Sequence, residues 1–171
     1  MTEDDERALM VTGVYGSGKT SVAVEMADIL EKRGEPYAAV DLDWLMWYQS
    51  ASGDIDAHAM MLRNLSALVE NYRGAGVRRF VLAVALSKPS QVDGLRAALA
   101  MPLTVVGLRV PTAEIRRRLA GDLTSGRADD LRVAEKWLSD GTGEGLQDFS
   151  VANDGALRDV ATGILRRVGW I

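Results

Sequence analysis

Short apolar runs recur along the chain, and most lead into a stretch where apolar residues return at helical spacing. Ala8-Leu9-Met10-Val11-Thr12 reads as a first strand. After it, Val22, Ala23, Met26, Ala27, Ile29 and Leu30 mark one helix face from Lys19 to Lys32, stopped by Gly34-Glu35-Pro36. Tyr37 to Val40 is a second short strand. Met60, Met61, Leu65, Leu68 and Val69 place a long helix over 56–73, closed by Gly74 and Gly76. Phe80 to Leu86 is the most continuous apolar run, as expected of a parallel strand buried on both faces. The pattern then predicts a helix over 91–100, a strand from Leu103 to Leu108 and a helix from Thr112 to Ala120 behind Pro111. A helix from Asp129 to Leu138, a loop over 141–145, a strand from Phe149 to Ala152 and a helix over 155–168 complete the chain. Strands alternating with helices imply a parallel sheet with right-handed crossovers, hence an α/β domain.

Composition narrows the picture. A length of 171 residues with 47% hydrophobic content suits one domain with a sizeable core. The net charge of −4 argues against a nucleic-acid partner, which selects a basic face. Without cysteine there is neither a disulfide nor a thiolate metal site. The acidic start, Glu3-Asp4-Asp5-Glu6, differs from a signal peptide and predicts a flexible tail over 1–7. No apolar run reaches the ~18 residues of a membrane span, so no membrane association and a cytoplasmic location are expected.

The connection between the first strand and the first helix carries the chemistry. Gly13-Val14-Tyr15-Gly16-Ser17-Gly18-Lys19-Thr20 fits the phosphate-binding P-loop pattern G-x-x-x-x-G-K-[ST], in the strand–turn–helix context that the motif needs. Backbone N–H groups of Tyr15 to Ser21 would converge on an anion, with glycine allowing the positive φ and the close approach. Lys19 would reach the β- and γ-phosphates, and the Thr20 hydroxyl would be a ligand of Mg²⁺. The motif therefore predicts binding of a nucleoside triphosphate.

Asp41 and Asp43 end the second strand, at the edge of the sheet where open parallel folds place ligands. Two residues apart on extended chain, both carboxylates can face one crevice. One would orient and deprotonate an acceptor hydroxyl while the other holds Mg²⁺ or the acceptor; Asp43 is the preferred base and Asp41 the metal-side residue. Trp44 and Trp47 follow directly and would either stack on the acceptor or pack a helix onto the body, with packing favoured for one of them. Arg63 and Asn64 are candidate polar contacts from the next helix. The single histidine, His58, is expected to be structural or exposed.

These features resemble the group of shikimate kinase, adenylyl-sulfate kinase and chloramphenicol phosphotransferase, within the nucleoside-monophosphate-kinase-like P-loop kinases. The phosphate loop, the D-x-D, and Val105 to Val110 followed by Glu114-Ile115-Arg116-Arg117-Arg118-Leu119 carry the resemblance. It implies a five-stranded parallel sheet in the order 2-3-1-4-5, sandwiched by helices, with a small lid over about 121–130. It implies ATP and Mg²⁺, with Arg118 (or Arg117) on the adenine side, Arg127 as the catalytic lid arginine, Arg132 as a weaker second, and Asn153 in the segment bordering the adenine.

Two departures bear on the substrate. The third strand ends Val84-Ala85-Leu86-Ser87-Lys88 without an aspartate, leaving metal binding to Thr20 and Asp41. It also lacks the glycine-rich acceptor loop of shikimate kinases. The expectation is an ATP-dependent kinase acting on a hydroxyl of a small molecule. The alternatives are a nucleoside monophosphate kinase, which needs arginines such as Arg63, Arg73 or Arg96 at the acceptor phosphate, and a nucleotide-binding module without catalysis.

Overall fold

The computed structural model describes residues 6–51, 56–120 and 126–171, with the side chains of 126–128 excepted. Five parallel strands form one sheet: β1 (Arg7–Thr12), β2 (Tyr37–Asp41), β3 (Arg79–Ala83), β4 (Leu103–Arg109) and β5 (Phe149–Ala152). Their order is β2-β3-β1-β4-β5, the order implied by the resemblance. β1 pairs with β3 on one side and β4 on the other, so its apolar run is covered by chain in every direction. That coverage explains why Ala8 to Thr12 are all buried while Arg7, at the strand's mouth, is exposed.

Alternation along each strand assigns its side chains to two cores. Leu9, Val11, Val81, Ala83, Val106 and Leu108 face α1 (Lys19–Lys32) and α6 (Leu157–Arg167). Ala8, Met10, Phe80, Leu82 and Val105 face α2 (Ala57–Gly74) and α3 (Pro89–Leu99). Helices thus cover both faces of the sheet, the arrangement that parallel strands require. A third, much smaller cluster joins α4 (Thr112–Ala120) and α5 (Gly126–Asp140) to the loop after β1: Ile115, Leu119 and Ala134, with Val14, Tyr15, Val110 and Leu131 packed against them.

The structure corrects several boundaries. Arg7 opens β1, and the Glu6 carboxylate accepts from Arg73 Nε at 2.6 Å with Arg78 nearby, so neither residue belongs to the expected tail. Residues 1–5 lie outside the described residues. β3 stops at Ala83, where its partner β2 ends at Asp41, rather than at Leu86. α3 begins at Pro89 because the Gln91 side chain reaches back to the N–H groups of Ser87 and Lys88 and caps the first turn. α5 starts at Gly126, so 126–130 of the expected lid are helical; residues 121–125 lie outside the described residues. Among the described residues no helix is long and apolar enough to cross a membrane.

Candidate active site

The loop from Gly13 to Thr20 rises from the C-terminal end of the central strand. Gly16 and Gly18 have φ of 78° and 88°, the left-handed region that a side chain disfavours. Gly18 also needs to lack a Cβ, which would stand 2.7 Å from the Asn153 amide nitrogen. Gly18 is the N-cap of α1, so the first-turn N–H groups of the helix have no acceptor within it and point into the cleft above. The loop is braced from beneath. Asn153, buried just after β5, donates from Nδ2 to the Ser17 carbonyl at 2.7 Å. Arg118 of α4 donates to the carbonyls of Gly16 (3.4 Å), Ser17 (3.3 Å) and Asn153 (2.9 Å).

Lys19, only 8% exposed, donates to the Val14 carbonyl at 3.3 Å and lies 5.2 Å from the centre of the Tyr15 ring. Thr20 Oγ1 donates to Asp41 Oδ2 at 2.7 Å. The other Asp41 oxygen accepts the Asp43 backbone N–H at 3.0 Å, capping a 3₁₀ turn over Leu42–Leu45. One carboxylate therefore ties the phosphate loop to the segment that carries Asp43, Trp44 and Trp47. Asn64 on α2 fixes the far end of that turn, donating to the Leu45 carbonyl at 2.8 Å. Burial holds the Asp43 carboxyl above its ordinary range, reinforced by the charges of Asp41 and Asp130 and opposed by Lys19. Burial also pushes the Tyr15 hydroxyl up, with the same Asp43 and Asp130 adding to it.

A cleft of about 680 Å³ collects most of the residues singled out in the sequence: Tyr15, Gly16, Gly18, Lys19, Thr20, Ser21, Asp41, Asp43, Trp44 and Arg118. Trp47, Leu119 and Asp130 complete its lining. Gly13 faces a second cavity with Trp137 and Leu86, while Ser17 and Asn153 are buried under the loop. Arg117 is turned outward: its side chain is 74% exposed and doubly bonded to Glu114 at 2.7 Å. Arg118 is the arginine of the 116–118 run that reaches the phosphate loop, and Arg116 pairs with Glu135 on the surface. Arg132 is exposed beside Asp129, and the side chain of Arg127 lies outside the described residues.

The acceptor-side expectations divide. Neither tryptophan packs into the body; Trp44 is 68% and Trp47 75% exposed, their rings 4.9 Å apart. Arg63 is exposed on α2, donating to the Met60 sulfur, and does not reach the cleft. Arg73 is engaged by Glu6 and by the carbonyls of Leu99 and Ala100 at the opposite end of the sheet. His58 sits where α2 meets α3, near Gly94. Glu114 and Asp130 are functional candidates that the sequence reading passed over. Glu114 was open to detection, standing three and four residues before the two arginines it binds.

The donor set suits a hard divalent cation: a hydroxyl and a carboxylate already 2.7 Å apart, beside a loop shaped for phosphate oxygens. The fold is shared with solved structures whose sequences are less than 25% identical to this chain. Similar solved structures include a sugar kinase from a Janibacter species (TM-score 0.68, 21% identity, 95% of this chain and 94% of that one). The tunicamycin resistance protein of Deinococcus radiodurans is similar as well (TM-score 0.67, 18% identity, 96% of each chain). So is the APS kinase of Mycobacterium tuberculosis, solved with AMPPNP and APS (TM-score 0.61, 20% identity, 96% of this chain and 98% of that one). No protein-family model and no curated protein matches the sequence.

Proposed function

We propose that the chain is an ATP-dependent phosphotransferase that moves the γ-phosphoryl group of ATP to a hydroxyl of a small-molecule acceptor. The observation that carries this reading is the Thr20–Asp41 bond, which joins a phosphate-binding loop to a second carboxylate, Asp43, in one cleft. A nucleotide-binding module has no need of the second carboxylate. The solved kinases of the same fold favour the reading further.

In the proposed mechanism the loop N–H groups and Lys19 hold the triphosphate, and Arg118 keeps the loop in shape from the α4 side. Thr20 and Asp41 would hold Mg²⁺, which would offset the negative charge of the phosphates. Asp43 accepts the proton of the acceptor hydroxyl as that oxygen attacks the γ-phosphorus. The bond to the β–γ bridging oxygen breaks in line, and ADP leaves with the electron pair. Burial of Asp43 fits this role, since a carboxylate poised above its ordinary range is a better base near neutrality. Arg127, on the helix that follows the α4–α5 connection, is proposed as the arginine that meets the transferring group from the lid side.

The deciding experiment is a coupled ADP-release assay over a panel of hydroxylated compounds, run on the parent chain and on Lys19→Ala. Acceptor-dependent ADP release that disappears in the variant supports the reading. Full activity in Lys19→Ala overturns it.

A further inference from the structure

The cleft wall beyond Asp43 is built in an unusual way. Across residues 42–47 the chain turns Leu42 fully inward and packs Leu45 and Met46 against the α2–α3 core. The two largest side chains, Trp44 and Trp47, are left exposed to water, side by side with their planes tilted by 34°. Both line the cleft beside Asp41 and Asp43. The Asp41 cap and Asn64 bracket the turn that carries Trp44, and the Trp47 ring lies 4.9 Å from the Trp44 ring just beyond it. An exposed indole pair gains from being covered by a flat apolar face.

Charge restricts what can cover it. Among the described residues, the cleft lining carries the carboxylates of Asp41, Asp43 and Asp130 against two cations, Lys19 and Arg118. Both cations stand at the phosphate loop, where a triphosphate would meet them. Arg63, Arg73 and Arg96, the arginines available to a charged acceptor, are absent from the lining. An acceptor carrying phosphate, sulfate or carboxylate would bring like charge toward Asp41 and Asp43, and the described cations of the lining, Lys19 and Arg118, are the ones that the phosphate loop and a triphosphate engage.

Resting on the phosphotransfer reading, we propose that the acceptor is a ring compound without an anionic group, lying against the Trp44–Trp47 pair with its hydroxyl at Asp43. The class includes nucleosides, neutral glycosides and hydroxylated aromatic compounds. Nucleotides, sugar acids and acyclic polyols fall outside it.

The test uses the full chain with Mg²⁺ and AMPPNP, and calorimetry with matched probes: adenosine against AMP, phenyl glucoside against phenyl glucuronide, and erythritol as an acyclic polyol. A neutral ring member should bind about tenfold or more tightly than its anionic partner and than erythritol. It should also quench the indole emission. Trp44→Ala with Trp47→Ala should weaken that probe by about tenfold or more, and Trp44→Phe with Trp47→Phe should recover most of the loss. AMPPNP affinity and melting temperature, measured alongside, report an intact site. Equal or tighter binding of the anionic members, indifference to the alanine pair, or no binding by either neutral ring probe overturns the inference. Failure of AMPPNP itself to bind overturns the phosphotransfer reading beneath it.

Discussion

Thr20 Oγ1 donates to Asp41 Oδ2 at 2.7 Å, across 21 residues of sequence, from the first turn of α1 to the end of β2. The pair stands where a cation shared with phosphate oxygens would sit, and each member supplies a hard oxygen donor. Asp41→Asn keeps the shape and the Asp43 cap while removing the charge that a cation needs. We expect its affinity for ATP to match the parent in EDTA and to fall about tenfold relative to the parent when Mg²⁺ is added. Calorimetry with and without Mg²⁺ measures this directly, and an unchanged Mg²⁺ response would remove Asp41 from the metal site.

In the proposed mechanism Asp43 ties catalysis to stability with opposite signs. Its folded carboxyl is held above its unfolded value, so folding favours the protonated form. The associated stability is present at low pH and is lost as pH rises through the folded value. At neutral pH the ionised group is a cost to the fold, and Asp43→Asn should melt higher than the parent while losing phosphotransfer. Melting curves across acidic and neutral pH should converge as the parent becomes protonated. A variant that melts lower at every pH would contradict the assignment.

Arg117 and Arg118 are adjacent and chemically identical, yet their substitution should differ sharply. Arg117→Ala removes an exposed arginine bonded to Glu114 and should leave stability close to the parent's. Arg118→Ala strips donors from the Gly16, Ser17 and Asn153 carbonyls, and because only the Asn153 bond is short, the loss of stability is expected to be about 2 kcal/mol. Nucleotide affinity should fall with it. Denaturant unfolding of both variants, with and without AMPPNP, separates the two positions.

Glu114 holds both arginines, and they keep its carboxyl down at about 2. Its favourable contribution is therefore present above its unfolded value and is lost only as pH falls through about 2. Arg118 should stay oriented throughout the working range, and Glu114→Gln should reproduce part of the Arg118→Ala loss of AMPPNP affinity at any pH from 5 to about 9. Calorimetry at the two ends of that range is the check.

Gly18→Ala is expected to destabilise the chain by about 1–3 kcal/mol, since φ of 88° disfavours any side chain and the new Cβ meets the Asn153 amide. Urea unfolding measures the loss. A neutral result would mean that the loop relaxes around the methyl group.

Most of the architecture was legible because hydrophobic period and glycine placement agree along the chain. Lys19–Lys32, Thr112–Ala120 and Phe149–Ala152 match the sequence reading to the residue. The misses have local causes. Apolar character continues through Leu86, but β3 ends where β2 runs out of partner, and that depends on register rather than composition. Trp44 and Trp47, three apart, allow a helical packing face, and packing is expected of one of them; the turn there is 3₁₀, and Leu42, Leu45 and Met46 take the inward positions instead. Which of Arg117 and Arg118 faces the loop depends on the rotation of α4 about its axis, set by Ile115 and Leu119 against Val14 and Tyr15. The D-x-D reaches one cleft by a different route from the strand alternation expected of it: β2 ends at Asp41, and the 3₁₀ turn that Asp41 caps carries Asp43 to the same lining.

The small cluster under α4 and α5 has a consequence for how the molecule breathes. Among the described residues, Ile115, Leu119 and Ala134 are the buried members there, against far larger cores on the two sheet faces. Local opening free energy follows buried contacts, so this helix pair should release its amide protons to solvent earlier than β1, β3 and β4. Because the pair leans on Val14 and Tyr15, a ligand that stiffens the phosphate loop should slow that release. Hydrogen exchange in α4 and α5 then becomes a gauge of cleft occupancy that requires no knowledge of the acceptor.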